Sequence, residues 1–133
     1  MKTKLWLVIV ILGVLGIGVH AQSVDSIAPV VVKTVPEAGT TNVPPGEYEI
    51  KITFSKKMTD NSWSFSSAWK NSDPEPFEKP HYAADGKTCL MKVKLEPGKT
   101  YGYWINSQNF HGFRDAQSYP AIPYLLVFQT AAQ

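Results

Sequence analysis

A single cysteine, Cys89, stands among 133 residues, so an intrachain disulfide is excluded and the core alone must hold the fold. No window carries a convincing helical period, which leaves strands as the regular structure. Internal repeats, low-complexity tracts and a linker that would separate a second domain are all missing. A run long enough to cross a membrane is missing as well. The uncharged apolar run Leu5–Val19 is 15 residues, against the roughly 20 that a spanning helix needs. It follows Lys2 and Lys4, and Val19-His20-Ala21 puts small residues at −3 and −1 before Gln22. That layout is a secretory signal peptide, so residues 1–21 are expected to be removed, and membrane attachment arises only if they are not.

An excess of charge of one sign is absent too. Two of the thirteen basic residues, Lys2 and Lys4, lie in the leader, leaving eleven against eleven acidic residues in 22–133. A balanced surface has no electrostatic footprint for nucleic acid, and none for an anionic membrane. The expected destination is secreted, periplasmic or cell-surface. Cys89 falls in phase with Met91, Val93 and Leu95. It reads as a buried thiol, with an intermolecular bridge as the alternative.

What is present is strands. Val30–Val35 is β-branched and bounded by Pro29 and Pro36, as an edge strand would be. Tyr48, Ile50, Ile52 and Phe54 alternate with Glu49, Lys51 and Thr53, the period of a half-buried strand. Trp63, Phe65 and Trp69 share a phase in a third run. His81–Ala84 forms a short fourth, followed by the hairpin turn Asp85-Gly86. Thr88–Leu95, Tyr101–Asn106 and Tyr124–Thr130 complete seven. Prolines and glycines fall between the runs, and this spacing argues for an all-β, two-sheet sandwich over residues 22–133. Leu95-Glu96-Pro97-Gly98-Lys99-Thr100-Tyr101 places a turn at Pro97 and Gly98, with a tyrosine three residues beyond the glycine. In immunoglobulin-like sandwiches such a tyrosine returns its hydroxyl to the upstream backbone, so Tyr101 is expected to form a structural corner.

Several segments align with one pattern: Ala28-Pro29, Val35-Pro36-Glu37-Ala38-Gly39-Thr40-Thr41-Asn42-Val43-Pro44, and Ile52-Thr53-Phe54-Ser55-Lys56-Lys57-Met58. The corner at Leu95–Tyr101, Asp115 and the closing Phe128-Gln129-Thr130 continue it. In this order the chain resembles the bacterial SbsA-type Ig-like domain over nearly all of residues 28–130. The resemblance implies an accessory module outside the cytoplasm, for binding or spacing, and implies no catalytic residues. The departure from the family pattern lies at 107–120, where a short turn is replaced by a longer, aromatic-rich loop.

Chemistry-bearing constellations are thin. Gly-Lys-Thr occurs at Gly86 and at Gly98, but the glycine that a phosphate loop needs five residues earlier is His81 in one case and Val93 in the other. His81 and His111 lie thirty residues apart, with no pair at zinc-like spacing, so no metal and no cofactor is expected. His111 and Asp115 share the long loop, yet nothing resembles a nucleophile elbow. Asp73, Glu75 and Glu78 alternate with Pro74, Pro76 and Pro80 and read as a solvated loop. The chain is not expected to be an enzyme.

The aromatics carry the functional expectation. At least one of Trp63 and Trp69 is assigned to the core. If Tyr101, Tyr103 and Ile105 face inward, Trp104 faces out. Leu125 and Val127 do the same on the next strand, giving an apolar outer patch of the kind that marks interaction sites. The alternative is that the 107–123 segment folds back over it. That segment carries Phe110, His111, Phe113, Arg114 and Tyr119, residue types enriched at binding hot spots. It is either a contact loop or a self-packed plug at the end of the sandwich. The expected function is an exported binding or adhesion-type module, its partner an envelope or secreted protein. The alternatives are a carbohydrate-binding module using exposed aromatics, and a structural spacer. Tryptophans exposed in a row favour polysaccharide; an aliphatic patch favours protein.

Overall fold

The computed structural model describes residues 21–133 together with Gly13, Gly16 and Gly18. The expected signal peptide lies almost wholly outside the described residues. After a single 3₁₀ turn at Val24–Ser26, eight strands follow. They are β1 Val31–Val35, β2 Gly46–Phe54, β3 Phe65–Ser67, β4 Glu75–Pro76, β5 His81–Tyr82, β6 Thr88–Leu95, β7 Thr100–Ile105 and β8 Tyr124–Gln129. All named pairings are antiparallel. One sheet runs β1-β2-β6-β4 with β5 also on β6, and the other runs β3-β7-β8.

The period-2 segments become strands because each presents one apolar face to the other sheet. Ile50, Ile52 and Phe54 from β2 and Cys89, Met91, Val93 and Leu95 from β6 meet Tyr101, Tyr103, Ile105, Leu126 and Phe128 from β7 and β8, all buried. Burying each of the larger side chains contributes about 1.5–3 kcal/mol. Desolvation pushes the Cys89 thiol up to about 12, so it packs as an inert apolar group.

Two expected elements change. The third run shrinks to Phe65–Ser67. Trp63 packs partly against the core, whereas Trp69 is 47 % exposed. Within the stretch read as a solvated loop, Glu75–Pro76 pairs with Lys94 and Val93 at the edge of β6, and the Phe77 N–H donates to Lys92 O (3.2 Å). Its acidic residues are exposed, but its backbone belongs to the sheet.

The two ends of the sandwich are closed differently. At the β6–β7 turn, Gly98 takes φ +62°, a conformation that glycine adopts without penalty. The Glu96 N–H donates to the Tyr101 hydroxyl (2.7 Å). Thr130 Oγ1 donates to Glu96 O (2.5 Å) and accepts from the Lys99 N–H (2.9 Å), tying β8 to the same turn. At the opposite end, residues 106–123 form the closure. Buried Asn106 donates through Nδ2 to Phe113 O (2.9 Å) and Ala121 O (3.0 Å) and accepts from the Phe113 N–H (2.9 Å). This holds the Phe113 ring between Phe54 (5.2 Å) and Phe65 (5.0 Å).

Candidate functional site

Parity on β7 and β8 decides which side chains leave the core. Register pairs Trp104 with Leu125 and Gly102 with Val127, while Ser66 of β3 lies opposite Trp104. Cross-strand partners share a face. Ser66, Trp104 and Leu125 therefore form one row on the outer surface of β3-β7-β8, and Gly102 and Val127 fall in the next. Leu125 is 38 % exposed, and Trp104 and Val127 are half-buried.

The space over Gly102 is filled by a residue from elsewhere. A Cβ at Gly102 would lie 2.2 Å from Cζ3 of Trp69 and 2.5 Å from Cη2. The six-membered ring of Trp69 thus rests against bare backbone, in the same face as Trp104. Its position is fixed by Ser72, which is fully buried. Ser72 Oγ accepts from the N–H groups of Ala68 (2.9 Å) and Trp69 (3.0 Å) and donates to Gly102 O (2.7 Å). The Gly102 N–H donates to Ser72 O (2.9 Å). The turn that carries Trp69 is therefore stitched to the same glycine its ring covers.

Beside Trp104 the surface becomes concave. Trp104, Ser107, Gln108, Asn109 and Pro123 line a hollow of about 480 Å³. The turn forming its wall is closed by the Ser107 N–H donating to Phe110 O (2.8 Å). None of the five side chains is ionisable. The side-chain amides of Gln108 and Asn109 make no hydrogen bond among the described residues, so their donors and acceptors are free.

The loop borders this face at Ser107, Gln108 and Asn109. Its aromatics scatter. Phe110 is 60 % exposed and borders a separate groove of about 750 Å³ with Trp63, Phe77, Met91 and Tyr103. His111 is exposed. Phe113, expected among the contact residues, is wholly buried and belongs to the core, because Asn106 turns that part of the loop inward. Arg114 donates to Ser118 O (3.1 Å) within the loop. Tyr119 is 44 % exposed, with the Lys56 ammonium 5.5 Å from its ring centre.

These last two residues stand at a buried ion pair. Lys56 Nζ donates to Asp115 Oδ2 and to the carbonyls of Asp25 (3.0 Å) and Ile27 (2.9 Å). Asp115 Oδ1 accepts from the N–H groups of Gln117 and Tyr119, both at 2.9 Å. Burial would raise the Asp115 carboxyl, but the Lys56 ammonium and these N–H groups outweigh it and hold the carboxyl below its ordinary value. The pair anchors the loop and the N-terminal lead-in to the sandwich. All three N–H groups of the Lys56 ammonium are engaged, so none is left for a ligand. Among the described residues no three His, Cys, Asp or Glu side chains come together as a metal cluster.

The contact loop expected to carry Phe110, His111, Phe113, Arg114 and Tyr119 is therefore divided. Asn109 borders the Trp104 hollow, Phe110 the second groove, Phe113 the core, and Arg114 and Tyr119 the ion pair. Sequence reasoning missed Trp69, Ser72 and the hollow residues Ser107 and Gln108. A glycine in mid-strand was the available signal, since it often marks a close approach.

Compared with known families, residues 25–130 match the family model described as bacterial Ig-like domain. No curated protein matches the chain.

Proposed function

The chain belongs to the bacterial Ig-like domain family, and on that premise we propose that it is an exported, non-catalytic binding module. Domains of this family are in general interaction or structural modules, not catalysts. The Val35–Pro44 and Ile52–Met58 motifs support the SbsA-type branch, and the Lys2–Ala21 leader supports a place in the envelope or outside the cell. Its contact surface is the outer face of β3-β7-β8 with the turn at 107–110.

One observation carries this reading: Trp69, Trp104, Leu125 and Val127 share an uncharged outer face, two of them more than a third exposed. A contiguous apolar patch of this kind often marks an interaction site, which favours a binding module over a spacer. Leu125 and Val127 favour an envelope or secreted protein as the partner. Trp69 beside Trp104 favours a polysaccharide. Residues 22–133, immobilised and exposed to the envelope fraction of the encoding organism, should retain a component that Trp104→Ala does not. Identical retention by both would leave a structural spacer as the account.

A further inference from the structure

We infer that the outer face around Trp69 and Trp104, with the adjoining hollow, binds a neutral polysaccharide segment of two or three pyranose rings. The inference rests on the binding-module reading and names the ligand class for that same surface.

Area separates a glycan from a protein. Two inter-strand spacings of about 4.8 Å, with half a spacing at each edge, make the three strands roughly 15 Å across. Six residues at ~3.4 Å make β7 and β8 roughly 20 Å long and the three residues of β3 roughly 10 Å, so the face offers on the order of 250 Å². A stable protein interface takes roughly 800 Å² from each partner. A short glycan fits the smaller figure.

Charge and hydrogen bonding agree with that size. No ionisable side chain lines the hollow, and Ser66, Trp69, Trp104, Leu125 and Val127 add none. An anionic polysaccharide or a basic peptide would find no compensating charge there. A pyranose instead presents C–H groups on its faces and hydroxyls around its rim. The indoles of Trp69 and Trp104 supply apolar surface for the first. Ser107, Gln108 and Asn109 supply hydroxyl and amide groups for the second, and these groups can donate and accept. A hollow of about 480 Å³ is of the size that takes a small ligand with a few polar anchors.

Preorganisation adds to the fit. Ser72 and Gly102 fix the turn that bears Trp69 through the four hydrogen bonds described above. Little side-chain freedom is then lost when a ligand arrives.

The test treats the envelope fraction in two ways before capture by residues 22–133. Periodate cleaves sugar diols; proteinase K removes protein. The expected result is that Trp104-dependent capture survives proteinase K and is abolished by periodate. Affinity electrophoresis of the same domain through gels containing neutral glucan, mannan or xylan identifies the sugar. There, Trp104→Ala and Trp69→Ala should each weaken retardation roughly tenfold or more, as truncation at the centre of a contact does. Phe77→Ala, on the separate groove, should leave it unchanged, which ties the loss to the Trp69–Trp104 face. Capture that resists periodate and is lost to proteinase K overturns the glycan inference and leaves a module for protein. Absence of any Trp104-dependent capture overturns the binding-module reading as well.

Discussion

Removing the Asp115 carboxylate should destabilise this domain more than any change on its outer face. In Asp115→Ala the Lys56 ammonium, 6 % exposed, keeps only the carbonyls of Asp25 and Ile27. The N–H groups of Gln117 and Tyr119 lose their acceptor at the same time. Breaking a buried pair from one side costs about 3–5 kcal/mol. For a domain near 110 residues each kcal/mol is worth about 4 °C, so Tm should fall by roughly 12–20 °C. Calorimetry of residues 22–133 measures this directly. The double variant Lys56→Met/Asp115→Leu should lose much less than the sum of the two single variants, since both charges are then gone. Acid titration supplies a second readout. The folded Asp115 carboxyl titrates below its ordinary value. Its contribution is therefore complete above the unfolded value of about 3.9 and lost as pH falls through the folded one. Asp115→Asn should show a shallower loss of Tm across that acid range than the parent. A Tm loss under about 4 °C for Asp115→Ala, or strict additivity with Lys56→Met, would refute the anchoring role.

Tyr101→Phe removes the acceptor of the Glu96 N–H and should cost about 1–3 kcal/mol in urea unfolding; an unchanged midpoint would mean that the corner hydroxyl contributes nothing. Gly102→Ala places a Cβ where Trp69 Cζ3 now lies, so it should leave the domain folded while altering tryptophan fluorescence and glycan retardation together. Unaltered fluorescence would mean that the ring does not rest on Gly102. Cys89 should resist thiol reagents in the native domain and react fully in denaturant, because burial pushes its thiol up to about 12; rapid native labelling would contradict its place in the core.

The sheets were legible because burial on one face writes a period into sequence. Thr88–Leu95 has the observed limits of β6, and β2, β7 and β8 differ from expectation only at their ends. Counting by twos failed in the third run. Trp63, Phe65 and Trp69 share a phase on paper, yet β3 ends at Ser67 and the chain is turned by the Ser72 hydrogen bonds before Trp69. Period also says nothing about irregular backbone. In the 106–123 closure, side-chain acceptors at Asn106 and Asp115 decide which residues turn inward. Phe113 and Tyr119 look alike in sequence, yet one is wholly buried and the other exposed.

Gly102 is where local preference and global structure diverge, and that divergence locates the site. A glycine inside a strand weakens it and offers nothing to pack. At a position facing solvent beside Val127, a β-branched residue would suit the strand better. Yet any side chain there would meet Trp69, whose ring needs the space down to the backbone. Trp69 does not repay the substitution by entering the core, since it remains 47 % exposed. Buried Ser72 spends its hydroxyl on the same arrangement, with the Gly102 carbonyl as its acceptor. Three residues are thus arranged to hold one indole against an outer surface, next to a second indole and an uncharged hollow. The proposed glycan is the ligand that would account for keeping an indole in that place.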